Sequence, residues 1–203
     1  SSTQSVSKPE TGSDIVTSEE SASLTFADEE MELYVRKLIG REEGDLTAGD
    51  VETVDALYLG NKDIHTINGI EHFTNLRILH LNDTQIREIS ALAGLKQLEV
   101  LHMNDTVVSD IQPLTELSGL QSLKLRNTEV ENIGALAGLN QLHYLSLGNT
   151  KVKNITALSG LTQLTILELD NTPIRDAGVI AALTQLMTLD MRRPEISAVH
   201  SLA

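Results

Sequence analysis

Cysteine and tryptophan are absent from the 203 residues, and the aromatic set is two phenylalanines and three tyrosines. Without cysteine there can be no disulfide, no thiolate nucleophile and no cysteine-ligated zinc. With so few rings, the core of any folded domain has to be aliphatic. Long apolar runs are also missing, and nothing approaches the roughly 20 residues that cross a bilayer. Basic side chains are outnumbered, 15 against 29 acidic, for a net charge of −14. That balance repels phosphate backbones and excludes nucleic acid as a natural partner. The chain has no G-x-S-x-G, no H-E-x-x-H and no phosphate-cradling glycine loop. The sequence therefore offers no catalytic residues, no cofactor and no metal site of recognised spacing.

What is present divides into three parts. Residues 1–24 are rich in Ser, Thr and Glu with no apolar periodicity. Such a stretch buries too little surface to offset its ordering entropy and reads as a disordered linker. Residues 25–53 read as a helical N-terminal unit. Asp28 is placed to cap a helix, Glu29 and Glu30 suit its positive end, and Gly40 supplies the stop. Met31, Val35 and Leu38 fall on one face at i, i+4 and i+7. Thr47 and Asp50 have capping-box spacing for a second, short helix. The acidic excess is concentrated in this first quarter: residues 1–53 hold 13 acidic and 4 basic side chains (−9), against 16 and 11 (−5) over 54–203.

From Val54 to Ala203 the sequence repeats every 22 residues, in units starting at Val54, Leu76, Leu98, Leu120, Leu142, Leu164 and Leu186. Each opens with L-x-x-L-x-L and continues with apolar residues at steps of three, as in Ile86, Ile89, Leu92 and Leu95. Alternation followed by threefold steps fits a short strand and then 3₁₀ or extended turns, and fits no helix of period 3.6. One unit cannot bury its own apolar side, so neighbours must stack. The predicted fold is an α/β solenoid: a curved rod with a parallel sheet on its concave face, 3₁₀ and extended turns on its convex face, and a helical cap at the N-terminus. Seven strands at about 4.8 Å make a face roughly 30 Å long.

The unit L-x-x-L-x-L-x-x-[NT]-x-I-x-x-I-x-x-L-x-x-L-x-x resembles the repeats of internalins and related bacterial leucine-rich-repeat proteins. The stretch from Phe26 through Val35–Gly40 to Thr47 and Asp50 is similar to that family's helical cap, and so is the join over Leu57–Ile64 and Gly69–Leu76. The resemblance covers about 26–203. It implies an exported, envelope-associated or secreted bacterial protein that recognises a partner on its concave sheet. Where many relatives carry Asn at the ninth repeat position, this chain has Lys62, Thr84, Thr106, Thr128, Thr150, Thr172 and Pro194. A threonine hydroxyl donates and accepts with shorter reach, so this column reads as structural.

Solvent-facing strand positions differ from unit to unit while the leucine columns stay fixed, and the binding face is placed there. Tyr58, Ile78, His80, Val100, His102, Lys124, Arg126, Tyr144, Glu168 and Asp170 are its candidate residues. His80, His102, Lys124 and Arg126 read as a basic centre, whose affinity for an anionic ligand would fall with salt. Glu168, Asp170 and Asp190 read as an acidic end. A protein partner, from a host or from the envelope, is the leading reading, with saccharide or peptide as the alternative ligand. A structural spacer or assembly domain is the second reading. Metal-dependent activity at His80 and His102, with Asp83 or Asp105 as a third ligand, is the third, although two solvated histidines is the plainer view. Lys124 and Ser146 are neighbours as a Ser–Lys pair would require, but an open sheet supplies no oxyanion hole. The seventh unit stops four residues short of a full repeat at Ala203. That predicts a frayed 194–203 and weak end-to-end self-association through the last strand.

Overall fold

The computed structural model describes residues 23–192. The expected linker therefore lies outside the described residues except for Ser23 and Leu24, and the expected frayed end over 194–203 lies outside them altogether. Ser23 and Leu24 move the sequence boundary. Strand β1 (Ser23–Leu24) pairs antiparallel with β2 (Leu46–Thr47), and Leu24 is buried against the core. Two residues carry no periodicity, and their partners lie more than twenty positions downstream, so linker-like composition concealed the pairing.

Helix α1 (Glu29–Ile39) forms where the caps direct it. Asp28 Oδ1 accepts from Met31 N at 3.1 Å, and Gly40, with φ of 71°, closes the helix in the left-handed region. The other carboxylate oxygen of Asp28 accepts from His65 N at 2.9 Å, so one side chain caps the helix and ties it to the first repeat. Met31 and Val35 are fully buried, whereas Leu38 in the last turn is 47% exposed, contrary to the single apolar face expected from spacing. Thr47 and Asp50 form the capping box of the four-residue helix α2 (Ala48–Val51). Where the unit meets the repeats the backbone is crowded: a Cβ at Gly69, φ 107°, would stand 2.7 Å from the Phe26 ring.

Seven parallel strands follow, one per unit: β3 (Ala56–Tyr58), β4 (Ile78–His80), β5 (Val100–His102), β6 (Ser122–Lys124), β7 (Tyr144–Ser146), β8 (Ile166–Glu168) and β9 (Thr188–Asp190). Each pairs with the next in an unbroken 22-residue register, so identical repeat positions sit side by side. Short 3₁₀ turns such as Ser90–Leu92 and Gln112–Leu114 carry the chain back along the opposite side. Leu76, Leu79, Leu81, Ile86, Ile89, Leu92 and Leu95 of one unit are all buried, and their equivalents stack above and below as a single aliphatic core. Met31, Val35, Leu46 and Val51 belong to that same core and close its first end.

Two polar columns fix the turn after each strand. The hydroxyls of Thr84, Thr106, Thr128 and Thr150 donate to the carbonyls of Leu81, Met103, Leu125 and Leu147 at 2.7–2.9 Å, so the threonine column is structural. One position earlier, Asn61, Asp83, Asp105, Asn127, Asn149 and Asn171 all have φ between 51° and 57°. Asn and Asp are the non-glycine residues that tolerate this region. Their side chains also run as a ladder, with Asn127 Nδ2 donating to Asp105 and Asn149 Nδ2 to Asn127, each at 2.6 Å.

Candidate concave binding face

Alternation along β3 to β8 buries the central residue of each strand and leaves its neighbours at least partly open to solvent, apart from the buried Ser146 of β7, whereas Leu189 in the middle of β9 is 42% exposed. The parallel register then aligns the candidate side chains into columns: Tyr58, His80, His102, Lys124, Ser146, Glu168, Asp190 in one, and Ile78, Val100, Ser122, Tyr144, Ile166 in another. Asn82 and Asn104 continue the ladder past the strand ends, their Oδ1 atoms accepting from Asn104 N and Arg126 N, both at 2.9 Å. These contacts tie the units of β4, β5 and β6 together beyond their strand ends.

Its first half is a run of rings. Tyr58, 51% exposed, meets the His80 ring edge-on with centroids 5.0 Å apart, and His80 stacks on His102 at 4.4 Å and 16°. His102 Nε2 lies 3.2 Å from Ser122 Oγ. Burial, together with the Lys124 ammonium and His80, depresses the His102 imidazole to about 4. Burial and Lys124 lower His80 in the same way. No carboxylate is among the causes, so both rings are neutral at neutral pH.

The second half is charged but internally paired. Lys124 Nζ lies 4.7 Å over the Tyr144 ring, and the Tyr144 hydroxyl donates to Glu168 Oε1 at 2.9 Å. Burial and that hydrogen bond push the Tyr144 phenol up to about 12. Arg126 reaches past the intervening repeat to Asp170 in a two-pronged pair, 2.5 Å and 2.7 Å, with Asp170 7% exposed. The span is open because residue 148 is glycine: a Cβ there would overlap both the guanidinium and the carboxylate. Asp190 is paired with Arg192 on its own strand end.

These pairings correct the basic centre expected from the sequence. Of its four members, Arg126 is neutralised by Asp170, and the two histidines are uncharged. Lys124 is left as the single cation that no carboxylate neutralises directly. In the acidic end Asp170 and Asp190 are likewise paired with arginines, while Glu168 accepts from the Tyr144 hydroxyl and has no cationic partner within salt-bridge distance among the described residues. Gly148 and the Asp190–Arg192 pair were missed, although a glycine flanked one unit on either side by Arg126 and Asp170 was the available signal. The histidine pair also has poor geometry for a shared ion. Lone pairs of imidazole nitrogens lie in the ring planes, and in near-parallel stacked rings they do not converge on one point. Among the described residues no cluster of three His, Asp or Glu side chains is suited to a metal. Ser122 beside His102 is a nucleophile–base pairing in outline, but burial leaves that imidazole a weak base, and no carboxylate orients it.

The geometry has counterparts among known proteins. A family model described as Leucine Rich repeats (2 copies) matches residues 74–116 and 118–160. An internalin (inlF) of Listeria monocytogenes superposes with a TM-score of 0.71 at 28% identity, over 86% of this chain and 58% of its own length. Internalin C2 from the same organism gives a TM-score of 0.70 at 32% identity, over 88% of this chain and 89% of its own. A leucine-rich-repeat protein of Leptospira interrogans, 22% identical, shares the fold with a TM-score of 0.69 over 73% of this chain and 40% of that one. The chain thus spans little more than half of the first of these proteins. No curated protein sequence matches significantly.

Proposed function

Since the chain belongs to the internalin-like family of bacterial leucine-rich-repeat proteins, we propose that it is a non-catalytic, extracytoplasmic module that binds a protein partner on its concave strand face. One observation carries the reading. The face joins solvent-accessible rings and β-branched side chains to a rigid ladder, and nothing within the described residues covers them. Tyrosine is a favoured anchor at protein interfaces because it brings large area at low entropic cost. Tyr58, Ile78, His80, Val100 and His102 form the anchor half, while Lys124, Arg126, Tyr144, Glu168 and Asp170 form a pre-organised polar half. An exported setting follows from the family resemblance and agrees with the absence of any membrane-crossing helix among the described residues. The partner belongs to a host surface or to the bacterial envelope.

The test is capture with two immobilised chains, wild type and a Tyr58→Ala/His80→Ala/His102→Ala/Tyr144→Ala variant, from host extract and from envelope extract. A protein held by the wild type and lost from the variant, with both chains equally folded by circular dichroism, supports the proposal. Equal retention by both chains contradicts it.

A further inference from the structure

The first half of the concave face has an unusual charge environment for an acidic protein. Strands β3 to β5 present Ala56, Ile78 and Val100 in one column and Tyr58, His80 and His102 in the other, without a carboxylate in either. From the N-terminal side, the Tyr34 hydroxyl of α1 donates no charge; it accepts from Tyr58 N at 3.3 Å. From the C-terminal side the facing groups are Ser122 and Lys124 of β6. Arg126 further along is paired with Asp170 and unavailable. Two imidazoles 4.4 Å apart stack comfortably when neutral. Protonated together beside Lys124, they place three like charges on neighbouring strands of one column, with no carboxylate among them.

We propose that the Tyr58–His80–His102 ring ladder is an acid-released docking surface, engaging at neutral pH a protein segment that brings apolar and uncharged hydrogen-bonding groups and shedding it when both imidazoles take protons. This rests on the concave face being the binding surface. The partner's chemistry follows from charge complementarity, since this half of the face offers rings, β-branched carbons and neutral ring nitrogens and no carboxylate, with Lys124 at its edge held over the Tyr144 ring. Protonation adds two charges that an apolar partner cannot solvate, and it weakens the ring stack that shapes the surface.

The experiment has two arms on the full chain. Histidine ring resonances of the free protein are followed by NMR against pH, with Lys124→Met as a second variant. Both His80 and His102 should titrate below 6.5, and the variant should raise both; midpoints at or above 6.5, or values indifferent to Lys124, would overturn the acid release. In the second arm a random peptide display library is selected on the wild-type chain near pH 7.5 and eluted near pH 3.5, below the value of about 4 to which the His102 imidazole is depressed. Apolar, uncharged peptides that elute with acid and are not retained by His80→Ala/His102→Ala support the proposal. Peptides retained at both pH values, or a pool dominated by charged residues, overturn it. If no peptide depends on these side chains while the titration is as expected, the docking proposal is overturned, whereas the concave-face reading fails only if the captured partner is retained equally by the quadruple variant.

Discussion

Gly148 shows how a missing side chain can organise a surface. By leaving one position of the seventh repeat column empty, it lets Arg126 meet Asp170 across a whole unit. Gly148→Ala should therefore lower stability by about 1–3 kcal/mol, the range for forcing atoms into a packed contact. The same substitution in an Arg126→Met background should cost much less, which urea denaturation of the four chains would measure. Thr106→Val should cost about 1 kcal/mol, because it removes the hydroxyl donated to Met103 O while keeping the volume. The imidazoles add a pH dependence. An unfolded histidine takes its proton near 6.5, whereas folded His102 resists until about 4. Between those values the unfolded chain holds more protons, so stability is full above 6.5 and declines as pH falls toward 4. His102→Gln should remove part of that decline, and thermal melts across the window would show it. None of these pairings was visible in composition. The columns themselves were legible, because period 22 and strand alternation place side chains without coordinates. Whether neighbours in a column are stacked, paired or bridged depends on side-chain reach, which repeat arithmetic does not contain.

At the scale of elements, the strands were readable nearly residue by residue, since L-x-x-L-x-L leaves one solution for which side chains face inward. The 3₁₀ turns followed from apolar steps of three. The N-terminal unit was less legible. Capping signals at Asp28, Gly40 and Thr47 located α1 and α2, but the β1–β2 pairing lacks a local signature and Leu38 turned out to be exposed. The left-handed Asn and Asp column stands in the sequence beside the threonines, but Asn and Asp are ordinary surface residues in any turn, so their presence alone does not fix a positive φ. Asp28 is the element's hinge point, accepting from both Met31 N and His65 N. Asp28→Ala should destabilise by about 1–3 kcal/mol, more than an isolated cap, because a buried backbone donor loses its partner as well. Asp28→Asn should recover much of it. A chain starting at Val54 would leave the buried Leu57, Ile64 and Ile67 without Met31, Val35, Leu46 and Val51, which share their core. It should aggregate or melt without cooperativity, and a soluble fragment with a sharp transition would refute the capping role.

For the whole molecule, the notable property is that a chain of net charge −14 presents a face whose ions cancel. Three cations, Lys124, Arg126 and Arg192, stand with three anions, Glu168, Asp170 and Asp190, all within the strand columns. The acidic excess therefore lies elsewhere, where it favours solubility and leaves recognition to shape and apolar contact. Partner affinity should change little with salt, against the salt-weakened binding that the sequence suggested, because exposed unpaired charge is what ions screen. The most direct measurement is calorimetric titration of the captured partner into three chains: wild type, the four-residue concave variant, and a control with Lys151→Ala and Lys153→Ala away from the strands. The account predicts an affinity loss of at least about 10-fold, near 1.4 kcal/mol, for the concave variant and wild-type affinity for the control. Unchanged affinity in the concave variant, or a loss confined to the Lys151/Lys153 control, would contradict it.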